Sequence, residues 1–184
     1  MMGGMESPIT IRPFAGVAHD PMTRAQIDAI FFAASTTQTF ESDAARQSFR
    51  ERWLGRYLVR EPQWAYVAVV PAGEIIGYLV ASVDDPGSTA RFSDIAYFQS
   101  FKDLTARFPA HLHVNLAPGF RSSGIGSDLI ERFAQDAKAA AIPGVHVVTS
   151  VGARNVGFYL RNGFQPLNML GEGAKKIVFL ARAL

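Results

Sequence analysis

Apolar and polar residues alternate with period two in several short stretches of the chain and with helical period in several longer ones. "ITIRPF" (Ile9 to Phe14) alternates and reads as a strand ending near Pro13. Residues 22 to 34 carry Ile27, Ile30 and Phe31 at helical spacing. Residues 43 to 60 read as a second helix, apolar at Phe49, Trp53 and Tyr57 and decorated by Arg46, Arg50, Arg52, Arg56 and Arg60. "WAYVAVVPAGEIIGYLVASV" reads as a hairpin, two strands rich in Val, Ile and Tyr around a Pro-Ala-Gly turn. Residues 84 to 110 are the least regular part, with a short helix expected around Asp94 to Phe108.

The clearest alternation is "HLHVNL". Leu112, Val114 and Leu116 take one face of the predicted strand; His111, His113 and Asn115 take the other. A helix follows from about Ser123 to Ala141, with the stripe Ile125, Leu129, Ile130, Phe133 and Ala137. "IPG" stops it. A strand at 145 to 151, a short helix at 154 to 162 ended by Gly163, and two last strands in "FQPLNML" and "KKIVFLARA" complete the chain. The order is β-α-α-β-β-β-α-β-α-β-β, which predicts an α/β domain with a mixed sheet. No internal repeat or linker interrupts it, so one domain over 1–184 is expected, with its core at 9–182.

Composition narrows the function classes. The 184 residues are 48% hydrophobic and include 14 Phe, enough for a substantial core. A net charge of +2 is too weak to argue for nucleic acid. The absence of cysteine excludes disulfides, a thiolate nucleophile and cysteine metal ligands. No apolar run approaches the roughly 18 residues that span a bilayer. "MMGGMESP" lacks the basic start and apolar core of a signal peptide. A cytoplasmic protein without metal, membrane or nucleic-acid partner is the expectation.

"PGFRSSGIGSDL" (118 to 129) carries the candidate chemistry. A strand ends, the chain turns and a helix begins, so the first N–H groups of the helix lack partners within it and sit at the positive end of its dipole. Gly124 and Gly126 let an anion approach the backbone, Ser122 and Ser123 supply donors, and Arg121 supplies a permanent charge. This is an anion cradle. A plain glycine-rich turn capped by Ser123 fits the same residues. A P-loop would need Gly-Lys-Ser/Thr where this chain has Gly126-Ser127-Asp128. A dinucleotide-binding loop would need a third glycine where Leu129 stands.

"NLAPGFRSSGIGSDLIERF" resembles motif A of the GNAT acetyltransferase superfamily, with Arg121, Gly124 and Gly126 matching its Arg/Gln-x-x-Gly-x-Gly/Ala. "VTSVGARNVGFYLRNGF" resembles motif B, whose Phe-Tyr-x-x-x-Gly-Phe ending falls here on Phe158, Tyr159, Gly163 and Phe164. The resemblance covers roughly 9 to 182. More narrowly, "FPAHLHVNLAPGFRSSGIG" with "IPGVHVVTS" resembles the acetyltransferase-like domain attached to O-GlcNAc hydrolases and its free-standing bacterial relatives. The fold implied is a GNAT-like mixed, mostly antiparallel sheet flanked by helices, with splayed central strands.

The resemblance implies acetyl-CoA as cosubstrate and no metal. The N–H groups of Arg121, Ser122, Ser123, Gly124, Ile125 and Gly126, with Ser127, would hold the pyrophosphate. The backbone of Asn115 and Leu116 would pair with the pantetheine arm, and an N–H near Leu116 would meet the oxyanion. Tyr159 would face the sulfur as acid; the alternative is a packed aromatic whose hydroxyl is bonded elsewhere. Many relatives carry an asparagine seven residues before that tyrosine, where this chain has Gly152; a minority place it four before, as Asn155 does here. Asn155 is read as a pantetheine contact or a helix cap.

His113 and His111 are the candidate bases, His113 preferred as nearer the splay. Arylalkylamine acetyltransferases carry a similar His-Leu-His one residue further from the loop. Other members use a strand glutamate that this chain lacks. Both histidines bonded within the sheet packing is the competing reading. Asp84, Asp94 and Glu74 are candidates acting through water; His146 and His19 are read as structural or surface groups. The aromatics of 84–110 either wall an acceptor pocket or cover the sheet, and the arginine-rich helix either attracts an acidic acceptor or is a solvated face. The expected activity is direct acetyl transfer to a primary amine of a small molecule or protein, with a non-catalytic acetyl-CoA-binding module as alternative. Self-association as a homodimer is left open.

Overall fold

Capping and turn chemistry set the element boundaries of the computed structural model, which describes residues 9–184. The "MMGGMESP" segment lies outside the described residues. Strand β1 spans Thr10–Pro13. Helix α1, Pro21–Ala34, opens with Pro21 at its first position and Asp20 accepting from the Met22 N–H at 2.9 Å. Helix α2, Asp43–Arg50, is capped by Ser42, whose Oγ accepts from the Ala45 N–H. A π turn, Glu51–Gly55, then leads into α3, Arg56–Arg60. The single helix read over 43–60 is thus continuous in course but widened in the middle.

Strands β2, Ala65–Val69, and β3, Ile75–Ser82, form the expected hairpin, closed by Gly73 at φ +90° and by the Val70 N–H to the Glu74 carbonyl. Every residue of both strands is buried, which explains their near-continuous apolar sequence. The one helix expected around Asp94 to Phe108 is two: α4, Tyr97–Ser100, and α5, Lys102–Arg107. Then follow β4, Ala110–Leu116; α6, Ile125–Ala139; β5, Gly144–Ser150; α7, Arg154–Arg161; β6, Gln165–Leu170; and β7, Ile177–Ala183.

The chain falls into two compact units. The first comprises residues up to Ala81 and His113–Phe133. Its strands are ordered β1-β2-β3-β4, with β1 and β3 both antiparallel to β2. Its core holds Phe14, Ile27, Phe31, Leu54, Tyr57, Tyr78, Ile125, Leu129 and Phe133. The helical stripes predicted for α1 and α6 are therefore buried.

The second unit comprises Ser82–Leu112 and Ala134–Leu184. Its strands run β4-β5-β7-β6, with β5 and β6 antiparallel to β7. Strand β4 pairs in parallel with β5 through Ala110↔Val145 and His111↔His146, a ladder that stops well before either strand ends. The fold is a mixed, mostly antiparallel α/β sheet with helices between its strands. Phe92, Ile95, Phe98 and Phe101, from the irregular 84–110 segment, are buried in this core. Their part is to cover the sheet. Among the described residues no helix is long and apolar enough to cross a membrane.

Candidate functional site

In the first unit, β4 delivers the chain into the glycine-rich loop. The Ala117 N–H donates to the Ile76 carbonyl at 2.8 Å, pinning the strand end. Leu116 lies over Gly77; a Cβ there would run into the Leu116 methyl and come within 3.3 Å of the Asn115 carbonyl. Gly77 therefore places the end of β4, a role its sequence did not signal. The Asn115 side chain donates through Nδ2 to the Tyr78 hydroxyl at 2.8 Å. Burial, reinforced by Asp28, pushes the Tyr78 phenol well above its usual pKa.

The loop owes its shape to handedness. Pro118–Phe120 make a 3-10 turn, Ser122 sits at φ +64° and Gly124 at φ +88°. Positive φ in a serine is uncommon and is a mark of functional loops. Curling the backbone at alternate residues turns successive N–H groups to one concave side, a geometry suited to anions. The N–H groups of Ser127 and Asp128 both reach back to the Gly124 carbonyl, so the helix proper starts there. Those of Ile125 and Gly126 fall in the first turn, where no intrahelical acceptor exists. A Cβ at Gly124 would meet nothing within 4 Å, so glycine is needed there for conformation and not for lack of room. Ser123 is no helix cap: its hydroxyl donates to the Phe120 carbonyl inside the loop. Arg121, Ser122, Ser123 and Gly124 are exposed.

His113 is partly buried, with its ring between Trp53 (centroids 5.7 Å apart, 81°) and Tyr57 (5.3 Å, 71°). The Tyr57 hydroxyl lies 3.2 Å from Nε2. Burial, with a smaller contribution from Arg56, lowers its pKa to about 4, so the imidazole is neutral at physiological pH. Arg50 grips Asp28 through Nε and Nη2, the latter at 2.7 Å, and Arg46 stacks on Phe32 at 3.5 Å. Arg46 and Arg50, read as part of a solvated face, are thus engaged.

In the second unit, His111 is 3% exposed and enclosed by Phe92 (4.7 Å), Phe98 (5.1 Å) and His146 (5.6 Å). His146 stacks on Phe179 at 4.6 Å and donates from Nδ1 to the Phe108 carbonyl. The two candidate bases, adjacent on one predicted strand face, thus have unlike surroundings, and His111 sits in an aromatic core. His19 and Glu74 are exposed, and Asp84 pairs with Arg91 at 3.4 Å.

Helix α7 starts after Ala153, which supplies no side-chain cap. Asn155 is exposed and accepts from Thr149 Oγ1 at 3.0 Å, so it is not the cap. The helix ends in a Schellman motif. The Gly163 N–H reaches the Leu160 carbonyl, the Phe164 N–H reaches the Tyr159 carbonyl, and Gly163 takes φ +83°. Tyr159 is 6% exposed, its ring against Phe158 and Phe164. Its hydroxyl has no hydrogen-bond partner among the described residues, and burial raises its pKa, so it stays protonated. Among the described residues no group of three or more His, Asp or Glu is placed to hold a metal ion.

The site lies in an α/β protein with a mixed, mostly antiparallel sheet whose fourth strand runs into a helix entry of a shape suited to anions. Residues 61–166, more than half of the chain, match the acetyltransferase (GNAT) domain, and the chain belongs to that acetyltransferase family. Solved structures share the fold. The crystal structure of SsHAT superposes with a TM-score of 0.71 at 20% identity, covering 95% of this chain and 98% of that one. A polyamine N-acetyltransferase of Drosophila melanogaster, an enzyme that forms N-acetylagmatine, gives 0.64 at 18%, covering 96% and 100%. A chain of the NatC complex bound to Gag peptide and CoA gives 0.64 at 16%, covering 96% and 98%.

Proposed function

We propose that the protein is an acetyl-CoA-dependent N-acetyltransferase that moves an acetyl group directly to a primary amine of a small molecule or protein. The observation that carries this reading, over a module that only binds the thioester, is Tyr159, whose ring is packed against Phe158 and Phe164 and whose protonated hydroxyl has no hydrogen-bond partner among the described residues. The N-acetylagmatine formed by the polyamine enzyme and the CoA bound in the NatC structure point the same way.

In this reading the N–H groups of 121–126, with Ser127, receive the pyrophosphate, and the backbone of Asn115 and Leu116 receives the pantetheine. Asn155 adds a contact near the start of α7. His113, neutral at pH 7, takes the proton that the attacking nitrogen must lose. The nitrogen bonds to the acetyl carbon as the carbon–sulfur bond breaks, and the electron pair leaves on sulfur. A thiol is about 1.5 pKa units more acidic than even an unperturbed phenol. Tyr159 therefore serves as a hydrogen-bond donor to the thiolate, which takes a proton from solvent, and His113 returns its proton to solvent. His111, enclosed by Phe92, Phe98 and His146, has a packing role.

The test is thiol release from acetyl-CoA over a panel of agmatine, spermidine, phenylethylamine and a peptide with a free N-terminus. Turnover in the wild type, reduced at least tenfold in His113→Gln, is expected. Tight acetyl-CoA binding without turnover on any amine supports the binding module instead.

A further inference from the structure

We infer that Tyr57 is a positioning residue for His113: the His113 Nε2–H donates to the Tyr57 hydroxyl oxygen, which leaves the imidazole lone pair on Nδ1. The inference rests on the proposed function and extends it to a residue 56 positions away in sequence.

A neutral imidazole carries one N–H, and which nitrogen holds it is set by the hydrogen bond the ring makes. Tyr57 is 1% exposed and locked in the core, so its oxygen is a fixed point, 3.2 Å from Nε2. The backbone is adapted to this. Trp53 and Tyr57, four residues apart, both present ring edges or faces to His113. In an ordinary α-helix a residue four positions on overshoots alignment by about 40°. The π turn Glu51–Gly55 widens this part of the helix between the two rings, both of which reach His113. A Cβ at Gly55 would meet the Glu51 carboxylate, the far end of a flexible side chain that can move aside. Widened turns of this kind are frequent at functional sites. An ordered imidazole with a chosen tautomer is what a general base needs, since a ring free to turn presents its lone pair only part of the time.

Tyr57→Phe removes only the hydroxyl and keeps the ring packing. It is expected to lower kcat about tenfold with the KM for acetyl-CoA unchanged, and in the His113→Gln background to change kcat less than twofold. Nitrogen-15 NMR of the wild type is expected to show one His113 tautomer, protonated at Nε2, and of Tyr57→Phe a mixture. Equal losses from Tyr57→Phe in both backgrounds, wild-type kcat in Tyr57→Phe, or an unchanged tautomer would each overturn the inference while leaving the acetyltransferase reading intact. A wild-type chain with no turnover on the amine panel overturns the proposed function itself, and the catalytic meaning of the Tyr57–His113 pair with it.

Discussion

The ring of Phe164 packs against the ring of Tyr159 at 5.4 Å and 63°, while its N–H is bonded to the Tyr159 carbonyl at 3.1 Å. One short chain reversal thus fixes both the backbone and the side chain of the residue proposed to face the thiolate. It depends on Gly163 at φ +83°. A Cβ there would meet only the Arg182 side chain at ordinary contact, 3.5 Å, so substitution is penalised by conformation alone. Gly163→Ala is expected to lose about 1 kcal/mol, or roughly 2–4 °C in Tm, by thermal melting.

Removing the Tyr159 hydroxyl separates stability from activity. Because the group has no partner among the described residues, Tyr159→Phe is expected to melt no lower than the wild type. If the hydroxyl serves the leaving sulfur, kcat on the best amine falls about tenfold or more, with the KM for acetyl-CoA little changed. Steady-state kinetics beside a melting curve decides it, and a melting loss equal to the activity loss would point to packing instead.

Gly119 and Gly124 form an internal control. A methyl group added at either Cα would have no atom within 4 Å, yet only Gly124 has positive φ. Gly124→Ala is expected to weaken CoA binding at least tenfold by calorimetry, and Gly119→Ala less than twofold. Equal effects would mean that crowding rather than backbone shape matters in this loop.

His113 makes stability depend on pH. Its folded pKa of about 4 lies below the unfolded value near 6.5, so the unfolded chain binds the proton first. Stability is unaffected above about pH 6.5 and is lost progressively as pH falls toward 4. His113→Gln removes this contribution. The difference in Tm between the two proteins is expected to shift in favour of the variant on going from pH 7 to pH 4.5, with His111 and His146 common to both.

The strands and the main helices were legible because each buries one periodic face: Ile27, Ile30 and Phe31 on α1, and Ile125, Leu129 and Phe133 on α6. The loop was legible because helix entries and glycines have local meaning. What escaped reading was long-range. Trp53 and Tyr57 meet His113 across more than fifty residues, and a sequence pattern carries no such distance. The four-residue steps Phe49, Trp53, Tyr57 did hint at a turn wider than 3.6 residues. His111 and His113 read alike on one strand face, yet the first is caged by Phe92 and Phe98, which sequence alone assigned either to a pocket or to the core. Ser123 read as a cap because serine before a helix usually is one; here the turn carbonyl of Phe120 takes its proton.

The backward curl of the loop at Ser122 and Gly124 gives it a preference in chirality. A D-amino acid favours the positive φ that an L-residue resists. At position 124 a D-alanine introduced by chemical ligation therefore suits the backbone that L-alanine strains. The cradle discriminates between mirror images of one small side chain before any ligand arrives.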